Sequence, residues 1–272
     1  MVCKNCKRLL PQQINFCNGC GGKVIRNRLT MRNLLEDFAC RYLNYDNKFF
    51  KTIKTLFTKP EEVIESYIHG TRKRYVDAIG FFTIALTFSG LQLFILNNFF
   101  PNAFDIPDYM TVYSNPGSDE AQKATMSVMQ KYQSLVMMSY IPIYALMAKI
   151  VFFNIKRFNF TELLVVFLYT QGQISIFLSI ITVVLIAIGV DLYIVSFTTM
   201  PFMLLYFAYA LKRLYRISTA GIILRSMGFA AVFIGLIIFF GIVFAIWMQF
   251  SASGQEMIEA QKAAIEAAKI KY

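Results

Sequence analysis

Five apolar runs dominate the chain, at residues 79–100, 134–153, 163–189, 192–211 and 227–250. Each is long enough to cross a bilayer, which takes about 20 apolar residues in a helix. Only 16% of the chain is charged and 57% is apolar, whereas a water-soluble domain carries roughly a quarter charged residues. Barrel strands alternate polar and apolar positions, but "SIFLSIITVVLIAIGV" is apolar on every side, as a lipid-embedded helix must be. The first long apolar run begins only at residue 79, too late for a secretory signal. The pattern predicts an all-α integral membrane protein with a five-helix transmembrane bundle.

Lys and Arg alternate between connections. Residues 1–78 hold 15, the 101–133 loop holds two against four acids, and the turn after the second run holds Lys149, Lys156 and Arg157. The next turn has only Asp191, the 212–226 connection has four basic residues, and the 251–272 tail balances three Lys with three Glu. This alternation predicts an inner-membrane protein with a cytoplasmic N-terminus and an external C-terminus. At 27 residues the third run would be about 40 Å long. It is therefore expected to tilt, to begin at the interface, or to form a re-entrant element with the fourth run.

Ahead of the bundle, Cys3, Cys6, Cys17 and Cys20 make a CxxC-x10-CxxC pattern. Two such knuckles supply four thiolates to one tetrahedral ion, so residues 1–28 read as a zinc ribbon with structural Zn2+. Four thiolates leave no open catalytic position. Disulfide pairing is the alternative, but it needs an oxidising compartment, opposite to the charge-derived topology. Gly19, Gly21 and Gly22 supply permissive backbone for the second knuckle, whereas the first ends in Lys7 and lacks that glycine. Cys40 reads as a small packing residue. Lys4, Lys7, Arg8, Lys23, Arg26 and Arg28 are basic, but Phe16 alone offers a stacking surface. Anionic headgroups explain these charges more simply than nucleic acid does.

Residues 29–78 form an amphipathic helical collar. Thr30 can cap a helix with Met31, Leu34, Phe38 and Tyr42 along one side, and Asp46 can cap "NKFFKTIKTLFTK". The latter places Phe49, Ile53 and Leu56/Phe57 on one face beside Lys48, Lys51 and Lys54. Such a helix lies in the membrane interface or packs on the cytoplasmic ends of the bundle. "PEEVIESYIHG" is a third helix, started by Pro60 and stopped at Gly70. Arg72, Lys73 and Arg74 then form a positive-inside anchor or, with Tyr67 and Tyr75, a lipid-headgroup or phosphate site.

This ordering resembles an uncharacterised bacterial family of multi-span membrane proteins. Its members carry an N-terminal cysteine ribbon and a "P…Yi.GkRkrY..P" signature before the first span. The match lies at Pro60, Tyr67, Ile68, Gly70, Arg72, Lys73, Arg74 and Tyr75, with Thr71 and Ala78 departing from the pattern. The resemblance implies no activity. Five spans with these termini are also similar, in topology alone, to the Yip1-type proteins of trafficking and bilayer organisation.

The spans carry no catalytic constellation. His69, the sole histidine, sits beside a helix-ending glycine, and no HExxH, GxSxG or intramembrane carboxylate pair is present. Lys149, Glu162 and Asp191 fall at interfaces. Gln92, Asn97, Asn98, Gln171 and Gln173 are expected to bond between helices. Gln171, Gln173 and Pro142 could instead line an intramembrane polar path, and Pro142 with Pro201 could mark broken helices. Residues 251–272 read as a short external helix. The functional expectation is a non-enzymatic platform for anionic lipid and a cytoplasmic protein partner. The alternative is a small transporter or lipid-moving protein.

Overall fold

The computed structural model describes residues 1–11, 14–22, 24, 30, 31, 48–105, 125 and 127–250. The predicted helix after Thr30, Cys40, the Asp46 cap and the 251–272 helix lie outside the described residues, apart from Thr30 and Met31 themselves. The chain divides into two units, Met1–Asn47 and Lys48–Tyr272.

The second unit is helical: α1 Lys48–Thr58, α2 Pro60–Ile68, α3 Ala78–Phe99, a 3-10 turn Pro101–Phe104, α4 Gln133–Val151, α5 Phe160–Ala187, α6 Leu192–Tyr215 and α7 Thr219–Phe250. Among the described residues, α3 to α7 are the five helices long and apolar enough to cross a membrane, which makes this a multi-pass membrane protein.

Local chemistry sets the helix ends. Pro60 opens α2, Asp77 caps α3 by accepting from the Gly80 amide at 2.8 Å, and Asn159 with Glu162 forms a capping box on α5. Gly189, at φ 89, closes the turn after α5, and Asp191 caps α6 two residues later. Arg216, at φ 52, ends α6 in the left-handed conformation. The Ser218 hydroxyl then accepts from the Gly221 amide at 3.1 Å, so α7 begins at Thr219 and not at the expected residue 227. Arg225 lies inside α7, and the helix continues through it.

α5 is the hub, touching α1, α2, α3, α4 and α6. Gly172 brings it against α3, where an added Cβ would come within 3.1 Å of the Phe81 ring. Further along, Ser89 and Ser179 meet at 3.4 Å. Small residues at a helix contact and a polar link across it are how membrane helices associate without a hydrophobic driving force. The Tyr169 hydroxyl donates to the Val76 carbonyl at 2.7 Å, so α3 starts beside the tenth residue of α5. The turns of α5 before that level run beyond the start of α3 and carry α2. This accounts for a 28-residue helix, about 42 Å long, beside a hydrocarbon core of about 30 Å.

Gly172→Val should force Phe81 out of its rotamer and destabilise the α3–α5 contact by about 1–3 kcal/mol. The check is a lower thermal unfolding midpoint in detergent than for Gly90→Ala, at a position where an added Cβ meets open space.

Candidate functional site: a four-cysteine centre and a docked basic hairpin

In the first unit the Sγ atoms of Cys3, Cys6, Cys17 and Cys20 all lie within 4.8 Å of one another. Cys3–Cys20 is 3.7 Å and Cys6–Cys17 is 3.5 Å. Zinc–thiolate bonds near 2.3 Å give a tetrahedral edge of about 3.8 Å. The donor set fits one tetrahedral, thiophilic ion, and the cysteines are free thiols.

The backbone around the sulfurs repeats with an offset of 14 residues. The Cys3 amide donates to the Arg8 carbonyl at 2.8 Å, and the Cys17 amide to the Gly22 carbonyl at 2.9 Å. Lys7 N–H donates to Cys3 C=O as Gly21 N–H does to Cys17 C=O, and Leu10 N–H to Met1 C=O as Val24 N–H does to Asn15 C=O. Lys7 takes φ 59 where Gly21 takes φ 68. The first knuckle thus adopts the second knuckle's turn without its glycine. Left-handed backbone costs a residue with a Cβ roughly 1–2 kcal/mol.

Backbone N–H groups of Cys20 and Gly19 pull the Cys17 thiol down to about 6. At Cys6 the Arg8 amide also pulls down, but the thiols of Cys17 and Cys20 outweigh it and push Cys6 up to about 11. Four adjoining thiols lose their protons in steps because each thiolate opposes the next. A bound cation removes that opposition.

In the second unit α1 and α2 form a hairpin docked on α5 and α6. α1 packs on the bundle, one of the two placements expected for it. Leu56 and Thr52 are buried, and Phe57 meets the rings of Phe177 and Tyr206. Gln173 donates to the Ile53 carbonyl at 3.1 Å, Tyr206 to Leu56 at 3.2 Å and Tyr209 to Thr58 at 2.7 Å. One turn on, Arg213 grips Glu61 with two hydrogen bonds, and Arg216 lies 3.6 Å from Glu65. Residues 206, 209 and 213 share one face of α6, Arg216 follows at its C-terminal cap, and together they read along the hairpin. Arg157 also pairs with Glu65, at 2.6 Å. Sequence reasoning missed this lock; the signal was Tyr/Tyr/Arg/Arg at helical spacing opposite Glu61 and Glu65 at i,i+4.

The expected headgroup residues lie on the loop after α2 and are held unequally. Arg74 bridges to Glu62 at 2.7 Å, and Tyr75 donates to the same carboxylate at 2.9 Å. Burial, then Glu62, pushes the Tyr75 phenol upward. Arg72 stacks over Tyr67 at 5.4 Å, and the Tyr67 ring meets Tyr169 edge-on. Lys73 is exposed and makes no ion pair among the described residues. The polar-path residues do not come together as a channel lining. Gln171 is buried and donates to Ser175, Gln173 is spent on α1, and Pro142 is exposed on α4.

Fold and sites together define a class: a multi-pass helical membrane protein with a four-cysteine unit ahead of a docked basic hairpin. A family model described as "Protein of unknown function (DUF3667)" matches residues 46–90, the stretch that runs from α1 through the arginine loop into α3. No curated protein and no solved structure matches the chain.

Two outcomes follow. Lys7→Gly should strengthen metal retention by up to about 1 kcal/mol and Gly21→Ala should weaken it similarly, measured by competing a zinc or cobalt load against a chelator. Arg213→Ala should loosen the hairpin, seen as faster amide exchange over 48–68, and Glu61→Gln in that background should add little.

Proposed function

We propose that this is a non-enzymatic protein of the cytoplasmic membrane that works as a platform. Its cytoplasmic four-cysteine unit holds a structural zinc ion and presents a module to a protein partner, and the basic face of the hairpin binds anionic lipid headgroups. The carrying observation is the division of charge on the hairpin. Glu61, Glu62 and Glu65 are all committed to arginines. By contrast Lys48, Lys51, Lys54, Lys59, Arg72 and Lys73 are exposed and make no ion pair among the described residues. Each such charge at a membrane surface contributes about 1 kcal/mol toward anionic lipid. The Lys/Arg asymmetry of the connections supports the cytoplasmic N-terminus. The sulfur–sulfur edges support zinc, because a reduced compartment keeps thiolates available.

A lipid- or solute-moving role is the second reading. It is favoured by the buried amide oxygens of Gln171 and Gln173, which lack a hydrogen-bond partner.

The platform is tested on protein extracted in membrane discs by a polymer, with the co-extracted lipid quantified. Arg72→Gln/Lys73→Gln should lower the ratio of anionic to zwitterionic lipid, and raising salt during extraction should shrink the difference. Arg74→Gln should act differently, releasing Glu62 and loosening the loop. Equal ratios for the double variant and the wild type would remove the headgroup function.

A further inference from the structure

We infer that the groove between the C-terminal end of α4 and the first turns of α7 is a phospholipid site, with the lipid phosphate on Arg225 and an acyl chain lying along α7. It shares no residue with the hairpin surface. Arg225 is the seventh residue of a 32-residue apolar helix. Among the described residues it has no carboxylate partner. An arginine has five N–H donors; one of them, on Nη1, reaches the Val151 carbonyl at 2.9 Å. The guanidinium lies 4.8 Å over the ring of Phe152, which is buried and itself stacked on Tyr215 at 3.9 Å. The cation is thus pinned in place, with donors to spare and its charge uncompensated. An arginine so placed in a membrane helix calls for an anion.

The space beside it suits a lipid. The groove has a volume of about 500 Å³ and is lined by Arg225 and Asn154 together with the apolar Ile150, Phe153, Leu224 and Ala231. Free phosphate would use Arg225 and Asn154 alone; an amphiphile matches the apolar lining as well. Depth agrees as well. Arg225 lies about 9 Å along α7 from its start, and the roughly 25 residues after it extend about 37 Å, enough to pass the hydrocarbon core. A phosphate on Arg225 therefore sits at headgroup level while its chain follows the groove into the membrane.

The test counts phospholipid retained per chain by native mass spectrometry after purification in a mild detergent. The wild type should keep one. Arg225→Ala should lower occupancy about tenfold, the order expected for losing one charge-assisted contact. Ala231→Leu fills the apolar half of the groove, leaves Arg225 untouched and should also expel the lipid. Arg72→Gln/Lys73→Gln should retain it, so failure here and failure of the headgroup platform are read from different variants. Equal retention in the wild type and Arg225→Ala overturns the site. So does retention in Ala231→Leu, or a wild type that keeps no lipid.

Discussion

The carbonyls at the end of α1 are the constraint around which the helical unit is arranged. A helix leaves its last carbonyls without intrahelical partners, and at the buried Leu56 an unmet carbonyl is costly. Tyr206 and Tyr209 answer at Leu56 and Thr58, and Gln173 adds a second donor to the Ile53 carbonyl. Because both tyrosines sit on one face of α6, fixing the end of α1 also fixes the register of α2. Glu61 and Glu65 then fall opposite Arg213 and Arg216. The hairpin's charge division follows: acids turn toward the bundle's arginines, and lysines are left on the outer face.

The same docking sets the start of α3. Val76 is clamped on both sides, its N–H donating to the Thr52 hydroxyl at 3.1 Å and its carbonyl accepting from Tyr169. Thr52 belongs to α1 and Tyr169 to α5, so the arginine loop is tied to the hairpin and the hub at one residue. Asp77 then caps the helix, and Gly80 leaves room for that carboxylate. Ala78 is fully buried at this junction. A helix cap does there the work expected of a proline in the resembled signature.

The sequence made legible what depends on short-range pattern. Apolar length revealed the five helices, and the CxxC spacing revealed a donor set that closes within 4.8 Å. Boundaries set by charge were less legible. The fifth apolar run starts only at residue 227, but Arg225, whose plane lies on Phe152, does not interrupt the helix. The lock between α6 and the hairpin joins residues about 150 positions apart, and periodicity within one segment carries no information about its partner. Tyr209 falls in the fourth apolar run and Arg213 in the basic connection after it, and nothing local names their partner. The 14-residue repeat around the cysteines was visible in part, but residue type alone hid that Lys7 would adopt the glycine-like turn of Gly21.

That repeat places the four candidate metal ligands in the core of the first unit. Its small buried cluster consists of Cys3, Leu10 and Cys17, with Ile14 and Val24 packed against it. Two of the three buried members, Cys3 and Cys17, are candidate ligands, so without an ion thiols of unlike proton affinity would face one another within this core. Each knuckle contributes one buried and one exposed cysteine, and neither half encloses an ion alone. Bringing the halves together assembles the four thiols and this core at one place. An ion bound there would supply folding free energy that so short an apolar cluster lacks.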